Sequence, residues 1–349
     1  MAASAIEQVR AAFRRLVAVS RSGEWWEYKL VPIFAIFYAT ALRTGIPLWT
    51  LWPAALALMG ALVPGAIYVS ILNDLTDQEE DAAAGKPNRM AGRPLWQKLP
   101  MIMLPVAAGL LFGLFWWGDL PLLLAYLSAW IAYSFYSLPP IRLKARGFAG
   151  IIADACGAHL FPTLTAVLLV WHQARLAIDV EWTAAVALWS LAYGVRGIFW
   201  HQLIDVDNDR AAGVATFACR HQPERLKALA RHMVFPLEAI GLAAILFLMG
   251  TVLPALLLLG YLVLTQRRVA RWGMKAVLVQ PEPRYFIILS DYYDVFLPLG
   301  LLVAAVLTHP LDLAVLAVHL VLFPNRIRLV FKDMWRLRHS FSRIAAKGV

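Results

Sequence analysis

Asn73, Asp77 and Asp81 stand four residues apart, and His201, Asp205 and Asp209 repeat that spacing further along the chain. The match extends beyond the polar positions: Leu75, Asp77, Asp81, Ala83, Ala84 and Gly85 recur as Leu203, Asp205, Asp209, Ala211, Ala212 and Gly213. Residues at i, i+4 and i+8 share one face of a helix, so each copy predicts a row of polar side chains along one face. Each copy follows a long apolar run. Carboxylates beside hydrocarbon are costly and are kept for a function. Two facing sets of hard oxygen ligands suit Mg²⁺, which keeps some waters and bridges to substrate phosphates. An alternative of a merely solvated acidic face fits Glu79 and Glu80, which lie off that row.

The elements that must position these acids are transmembrane helices. Hydrophobic residues make up 61% of the 349-residue chain and charged residues 15%, and the mean hydropathy is +0.65. A soluble domain of this size is excluded by those values. Apolar runs near 29–45, 48–73, 99–117, 119–137, 148–171, 182–204, 231–250, 252–266, 285–308 and 311–325 predict ten spans. The expected fold is therefore all-α: a polytopic transmembrane helical bundle of two related halves around a cytoplasm-facing site. With ten spans, all Lys and Arg except Arg43, Arg175 and Arg196 fall on the side of the N terminus. The positive-inside rule makes that side cytoplasmic, for both termini and for both aspartate segments. The inner loops, roughly 74–98, 138–147, 205–230 and 267–284, are long and polar, which puts the chemistry there. The excess of Arg over Lys points to a bacterial inner membrane.

No cleavable signal peptide is evident. Ile6, Val9, Phe13, Leu16 and Val17 lie at helical spacing opposite arginines and predict a basic amphipathic helix on the membrane surface; a loosely ordered tail is the alternative. Trp25, Trp26 and Tyr28 fit an interfacial anchor. The net charge of +10 lies in short segments between apolar runs, so membrane lipids are the expected partners and nucleic acid is not. Cys156 and Cys219 imply neither a disulfide framework nor a zinc cluster.

Several charges fall inside the expected spans and need partners. Arg196 could pair with Asp154 or bind a substrate phosphate. Asp154 could instead act as a base. Asp291 and Asp294 share a face and could bind a polar group of a ligand, or form internal ion pairs. His201, at the place of Asn73 in the repeat, could hydrogen-bond a ligand or serve a structural role. Phe112, Tyr126, Trp130, Tyr133, Phe135, Tyr193 and Phe199 lie inside spans, where some would line a pocket and offer their π faces to a cationic centre, or serve only in packing.

Three motifs in register resemble the UbiA superfamily of intramembrane prenyltransferases: Asn73-Asp74-x-x-Asp77-x-x-x-Asp81, Asp205-x-x-x-Asp209, and between them Tyr136-Ser137-Leu138-Pro139-Pro140-Ile141-Arg142-Leu143-Lys144. The resemblance covers about residues 28–308, nine spans; residues 1–27 form the basic N-terminal segment, and 309–349 a tenth span with a basic tail. It departs from many relatives at Gln202, where a third Asp stands. The resemblance implies Mg²⁺-dependent transfer of an isoprenoid chain from its diphosphate to a lipophilic acceptor, most commonly an aromatic or quinone precursor, with Asp154, His201, Asp291 and Asp294 as candidate acceptor contacts and the in-span aromatic residues as candidate walls for a carbocation. Asn73, Asp77 and Asp81 would hold one ion and Asp205 and Asp209 another, with Asp74 and Asp207 orienting ligands. Lys86, Arg89, Arg93, Tyr136, Arg142 and Lys144 could reach diphosphate oxygens, and Lys86, Tyr136 and Lys144 are favoured. Terpene cyclisation, sugar-phosphate transfer to a polyprenyl phosphate and, less favoured, ion-coupled transport are the competing expectations.

Overall fold

The computed structural model describes residues 21–345; the expected amphipathic segment over 5–20 lies outside the described residues. The chain is built of α1 (Ser22–Thr44), α2 (Trp52–Thr76), α3 (Gln78–Ala83), α4 (Leu95–Phe115), α5 (Leu120–Ser137), α6 (Phe148–Ala174), α7 (Val180–Ala211), α8 (Phe217–Arg220), α9 (Pro223–Leu248), α10 (Leu253–Trp272), α11 (Tyr292–Thr308), α12 (Leu313–Leu322) and α13 (Pro324–Ala345). Two three-residue parallel strands, β1 (Lys275–Val277) and β2 (Tyr285–Ile287), pair between α10 and α11, with Lys275 opposite Tyr285.

Among the described residues six helices, α2, α4, α5, α6, α9 and α10, are long and apolar enough to cross a membrane, and α12 with the start of α13 is so as a pair bent by 86°. α1, α7 and α11 fall short for local reasons. α1 carries Glu24, Glu27 and Lys29 in its first two turns, and α7 carries Arg196 and the second aspartate motif. The ninth expected run is shortened because residues 285–287 pair as β2 and the helix starts only at Tyr292. Leu104, Leu111 and Phe115 on α4 and Leu256, Leu259 and Val263 on α10 are exposed. An apolar outer face of this kind is the surface a helical bundle offers to lipid.

Helices around the centre approach closely where small residues allow it. A side-chain carbon on Gly241 of α9 would lie 2.7 Å from the Trp189 backbone nitrogen of α7. One on Gly194 of α7 would lie 3.0 Å from Ala155 of α6. The largest core cluster joins α1, α2, α6, α7 and α11 through Phe34, Phe37, Leu58, Val170, Trp182, Trp189, Tyr292 and Tyr293.

α12 runs alongside α1 and links the two ends of the bundle. At one end the Trp49 N–H donates to Asp312 Oδ1 at 2.8 Å. At the other, Trp26 Nε1–H donates to the Leu322 carbonyl at 2.8 Å. The chain then bends by 86° into α13. The buried Glu27 carboxylate accepts the Asn325 and Arg326 N–H groups at 2.8 and 2.7 Å, capping the start of that helix from α1. Arg268 holds α13 from the side, reaching Asp291 at 2.5 Å and Asp333 at 2.8 Å.

Candidate functional site

The two aspartate motifs end their helices in the same way. α2 stops at Thr76 and α3 starts at Gln78. The Asp77 N–H nonetheless donates to the Asn73 carbonyl at 2.9 Å and the Asp81 N–H to that of Asp77 at 2.8 Å. The four-residue register of Asn73, Asp77 and Asp81 thus passes through the break. Gly85 (φ 66°) and Gly213 (φ 71°) then take the left-handed conformation. The Lys86 N–H closes on the Asp81 carbonyl and the Val214 N–H on the Asp209 carbonyl, both at 2.8 Å. Glycine recurs in both copies because a left-handed helix terminus favours a residue without Cβ.

Both motifs open onto one polar chamber of about 220 Å³, lined by Asn73, Asp77, Asp81, Lys86, Tyr136, Lys144, His201, Asp205 and Asp209 among others. Its acids are balanced by cations from neighbouring loops. Lys86 Nζ donates to Asp205 Oδ1 at 2.7 Å, tying the first motif to the second. Lys144, buried below the turn after α5, contacts Asp77 and reaches Glu80 at 3.2 Å. Arg142 donates to Glu80 at 2.6 Å and to Asp77 at 3.3 Å. Glu80 therefore faces this cluster, whereas Glu79 is exposed. Ser137 Oγ–H donates to Asn73 Oδ1 at 2.6 Å, and Asn88 bridges the Asp74 carbonyl and Asp81 Oδ2 at 2.8 and 2.7 Å. Burial, and then the neighbouring Asp205, push Asp209 up to about 6.

Among the described residues, no group of three or more His, Cys, Asp or Glu is assembled to hold a metal ion. Each motif instead offers one or two carboxylates, with the Asn73 amide beside the first. Sparse sets of hard oxygens suit a divalent cation that completes its shell with water and phosphate oxygens.

A second chamber of about 430 Å³ adjoins the first, and Asn73, Tyr136, Ile198, His201 and Asp205 line both. It extends between α1, α2, α5 and α6 as far as Ala61, Tyr126 and Thr165. From Asn73 to Ala61 along α2 is about 18 Å at the helical rise of ~1.5 Å per residue. Its wall is aromatic: the Tyr68 and Trp130 rings are 4.9 Å apart, Tyr126 and Trp130 6.2 Å, and Tyr133 and Tyr136 6.5 Å.

Tyr136, Lys144, Lys86, Arg142 and His201 are brought together with both motifs. Arg89 is turned away and holds the buried Asp74 through two bonds of 2.7 and 2.9 Å. Gln202 uses its carbonyl oxygen to accept the Ala218 N–H at 3.1 Å, which seats α8 under α7. Arg196 pairs with Glu238 of α9 at 2.5 and 2.8 Å rather than with Asp154, and Tyr293 donates to the same carboxylate at 2.9 Å. Asp291 and Asp294 lie in the cluster with Arg268 and Arg326, outside both chambers. Of the aromatic residues singled out, Tyr126, Trp130 and Tyr133 line the apolar chamber. Phe112 packs on Trp116, Phe135 is exposed, Tyr193 stacks on Trp189 and Phe199 on Phe217. Sequence reasoning passed over Lys29, whose signal was a lysine at the very start of the first apolar run. It also passed over Asn88, Ser137 and Glu238, whose types carry no motif.

Half-buried acids at the mouth of an apolar chamber, in a helical bundle with an apolar outer face, form the kind of intramembrane site that suits an amphiphilic substrate. More narrowly, the model of the UbiA prenyltransferase family matches residues 30–279, and the chain belongs to that family. A UbiA homolog from Archaeoglobus fulgidus has the same fold, with a TM-score of 0.57 and 17% identity in its structures bound to GPP and Mg²⁺ and to DMAPP and Mg²⁺. The match covers 84% and 83% of this chain, respectively, and 98% of that one in each case. Its Cd²⁺-bound structure gives a TM-score of 0.53 at 18% identity, over 81% of this chain and 98% of that one. No curated protein shows a significant match.

Proposed function

We propose that this chain transfers a prenyl group from a polyprenyl diphosphate to a lipophilic acceptor, an aromatic or quinone precursor, with release of pyrophosphate. The observation that carries this reading is the continuity of the two chambers: a charged one sized for a head group opens into an aromatic one deep enough for an isoprenoid tail. The Archaeoglobus homolog bound to GPP and Mg²⁺ supports it.

Asn73, Asp77 and Asp81 would hold one Mg²⁺, and Asp205 and Asp209 a second. When bound, the ions supply Lewis-acid stabilisation of the departing diphosphate. Lys86, Lys144 and Arg142 now rest on the motif carboxylates. They would turn to phosphate oxygens, joined by the Tyr136 hydroxyl, which lines the same chamber. Arg89 would act one step back, by fixing Asp74 behind the motif. The allylic C1–O bond breaks with its electron pair passing to the diphosphate, and C1 bonds to the acceptor, which gives up a proton. Tyr68, Tyr126, Trp130 and Tyr133 keep water from the cationic carbon and face it with π electrons.

We also infer ten crossings, with α1, α7, α11 and α12 added to the six long apolar helices. Asp312 lies at the Trp49 end and Asn325 at the Glu27 end, so the chain returns to the side on which α1 starts. By the positive-inside rule that side, with the site and both termini, is the cytoplasmic face, here of a bacterial inner membrane.

Pyrophosphate release by the full chain in nanodiscs tests the function, using a panel of prenyl diphosphates with and without Mg²⁺ and with Asp77→Ala and Asp205→Ala. Mg²⁺-dependent, acceptor-stimulated release lost in both variants is expected. Cyclised products from donor alone would favour the cyclase alternative. No release from any donor would overturn prenyl transfer and favour a sugar-phosphate donor.

A further inference from the structure

α13 carries charge that the bundle does not use. α12 runs alongside α1, and α13 turns from it by 86°. With α1 and α12 crossing the membrane, α13 lies close to the membrane plane. Ile327, Val330 and Leu337 on one face are buried and pack with Leu264 of α10 and Val295 of α11. The cations on that side are paired, Arg268 with Asp291 and Asp333, and Arg326 with Asp291 and Asp294. The outward side differs. Arg328, Lys332 and Arg336 recur at four-residue spacing, are exposed, and have no ion-pair or hydrogen-bond partner among the described residues. The one acid of α13, Asp333, is already taken by Arg268 at 2.8 Å. Phe331, Met334 and Trp335 are exposed as well. At about 100° per residue they fall between the buried face and the row of cations.

Its neighbours mark the level at which this helix lies. Trp26 holds the end of α12, and the Arg326 guanidinium lies 5.2 Å from the centre of the Tyr28 ring. α13 therefore starts beside aromatic residues of the kind that settle among lipid head groups. On α10 the exposed apolar Leu262 and Val263 give way one turn later to exposed Gln266 and Arg267. A basic helix with an apolar flank at that level fits the boundary between head groups and acyl chains. We propose that α13 is a docking surface for anionic phospholipid. Phe331, Met334 and Trp335 enter the edge of the acyl region, and Arg328, Lys332 and Arg336 bind the lipid phosphates. Cations without protein counter-charges favour an anionic head group over a zwitterionic one, whose own ammonium offsets its phosphate. A soluble partner that met the cations would leave the apolar flank in water. The inference goes beyond prenyl transfer and does not depend on it; it rests on the reading of α12 as a crossing.

The test follows backbone hydrogen exchange over residues 324–337 in nanodiscs that hold one copy of the full chain. Discs of phosphatidylcholine alone are compared with discs that also contain phosphatidylglycerol. Each Lys or Arg near an anionic surface strengthens association about 5-fold, so the three together are expected to slow exchange of α13 by up to roughly 100-fold in the anionic discs. High salt should remove the difference. The triple variant Arg328→Gln, Lys332→Gln, Arg336→Gln should exchange alike in both lipids, with the other helices as protected as in wild type. Phe331→Ser with Trp335→Ser should exchange faster in both. Equal exchange of wild type in the two lipids, a lipid dependence that survives in the triple variant, or unchanged exchange in the serine variant would each overturn the proposal. Slowing that appears only in discs holding two copies would give the surface to a second chain and overturn it as well. Failure of the underlying reading looks different. An impermeant thiol reagent applied to sealed vesicles is expected to label His309→Cys and Asn325→Cys from opposite sides. Labelling from the same side would remove α12 as a crossing, and the in-plane placement of α13 falls with it.

Discussion

Lys86, the residue just past the first aspartate motif, donates to Asp205, the first acid of the second motif, at 2.7 Å. The two halves of the acidic chamber are therefore joined by a contact that a diphosphate would have to displace. Both side chains are more than a third exposed, so the pair itself contributes little stability, about 0–1 kcal/mol. Lys86→Met is expected to leave the melting temperature nearly unchanged and to raise the donor KM by roughly 10-fold or more through loss of a charge-assisted phosphate contact. Steady-state kinetics at saturating acceptor, with thermal unfolding of the same sample, check it. An unchanged donor KM would remove Lys86 from the diphosphate site.

Gly85 and Gly213 have open space where a Cβ would stand, so replacing either with alanine tests backbone conformation alone. A left-handed non-glycine residue costs about 1–2 kcal/mol. The expected result for Gly85→Ala or Gly213→Ala is a melting temperature lower by a few degrees. A fall in pyrophosphate release out of proportion to that loss is also expected, because the adjoining Asp81 or Asp209 shifts with its helix end. Wild-type activity in either variant would show that the helix ends need no such turn.

These glycines also show how much could be read from the chain itself. The repeat of Asp77/Asp81/Gly85 as Asp205/Asp209/Gly213 was legible because backbone chemistry, helix register and termination all depend on residue type at fixed spacing. The Tyr136–Lys144 segment was legible for the same reason. Partners across the bundle were not. Nothing near Arg196 in sequence distinguishes Glu238 from Asp154 as its counter-charge, since both acids lie in apolar runs and the choice depends on how α7 packs against α6 and α9. The span ends were blurred where polarity and helix disagree: residues 285–287 read as the start of an apolar helix, and pairing with residues 275–277 makes them a strand.

Arg196 and Glu238 form a fully buried pair that also receives the Tyr293 hydroxyl. Removing one partner leaves an uncompensated charge, at a cost of about 3–5 kcal/mol. Arg196→Met and Glu238→Gln are each expected to lower thermal stability strongly. Donor KM in the fraction that folds should stay near wild type, because neither side chain lines a chamber. A donor KM raised in Arg196→Met, with stability retained, would instead make Arg196 a phosphate ligand.

Asp179 caps α7 at the opposite end of the bundle, accepting the Trp182 N–H at 3.0 Å and pairing with Arg43 at 3.0 Å. The Trp182 N–H, and then Arg43, hold its carboxyl below the usual carboxylate range. A depressed folded-state value means that the stabilisation is present at neutral pH and is lost as pH falls through that value. Asp179→Asn keeps a capping oxygen and loses the charge, so the variant should be less stable than wild type at neutral pH by about 0.3–1 kcal/mol. The two should converge in acid, below the usual carboxylate value of about 3.9. A difference that persists unchanged in acid would assign the effect to packing.

Glu27 caps α13 across a long sequence separation, and it is buried while doing so. Its carboxylate meets two N–H groups at the positive end of a helix dipole. The cap sits where the chain bends by 86°, and there the helix has Arg326 bound to Asp291 and Asp294 as its other local hold. Glu27→Ala is expected to cost about 1–2 kcal/mol, and the loss should fall on α13 before it reaches the bundle. Limited proteolysis in nanodiscs should therefore cut the variant near residues 323–326 faster than wild type, with the remaining helices protected. Glu27→Gln, which keeps one oxygen but not the charge, should fall between the two. Equal cleavage rates in all three proteins would mean that Arg268 and Arg326 hold α13 without the cap.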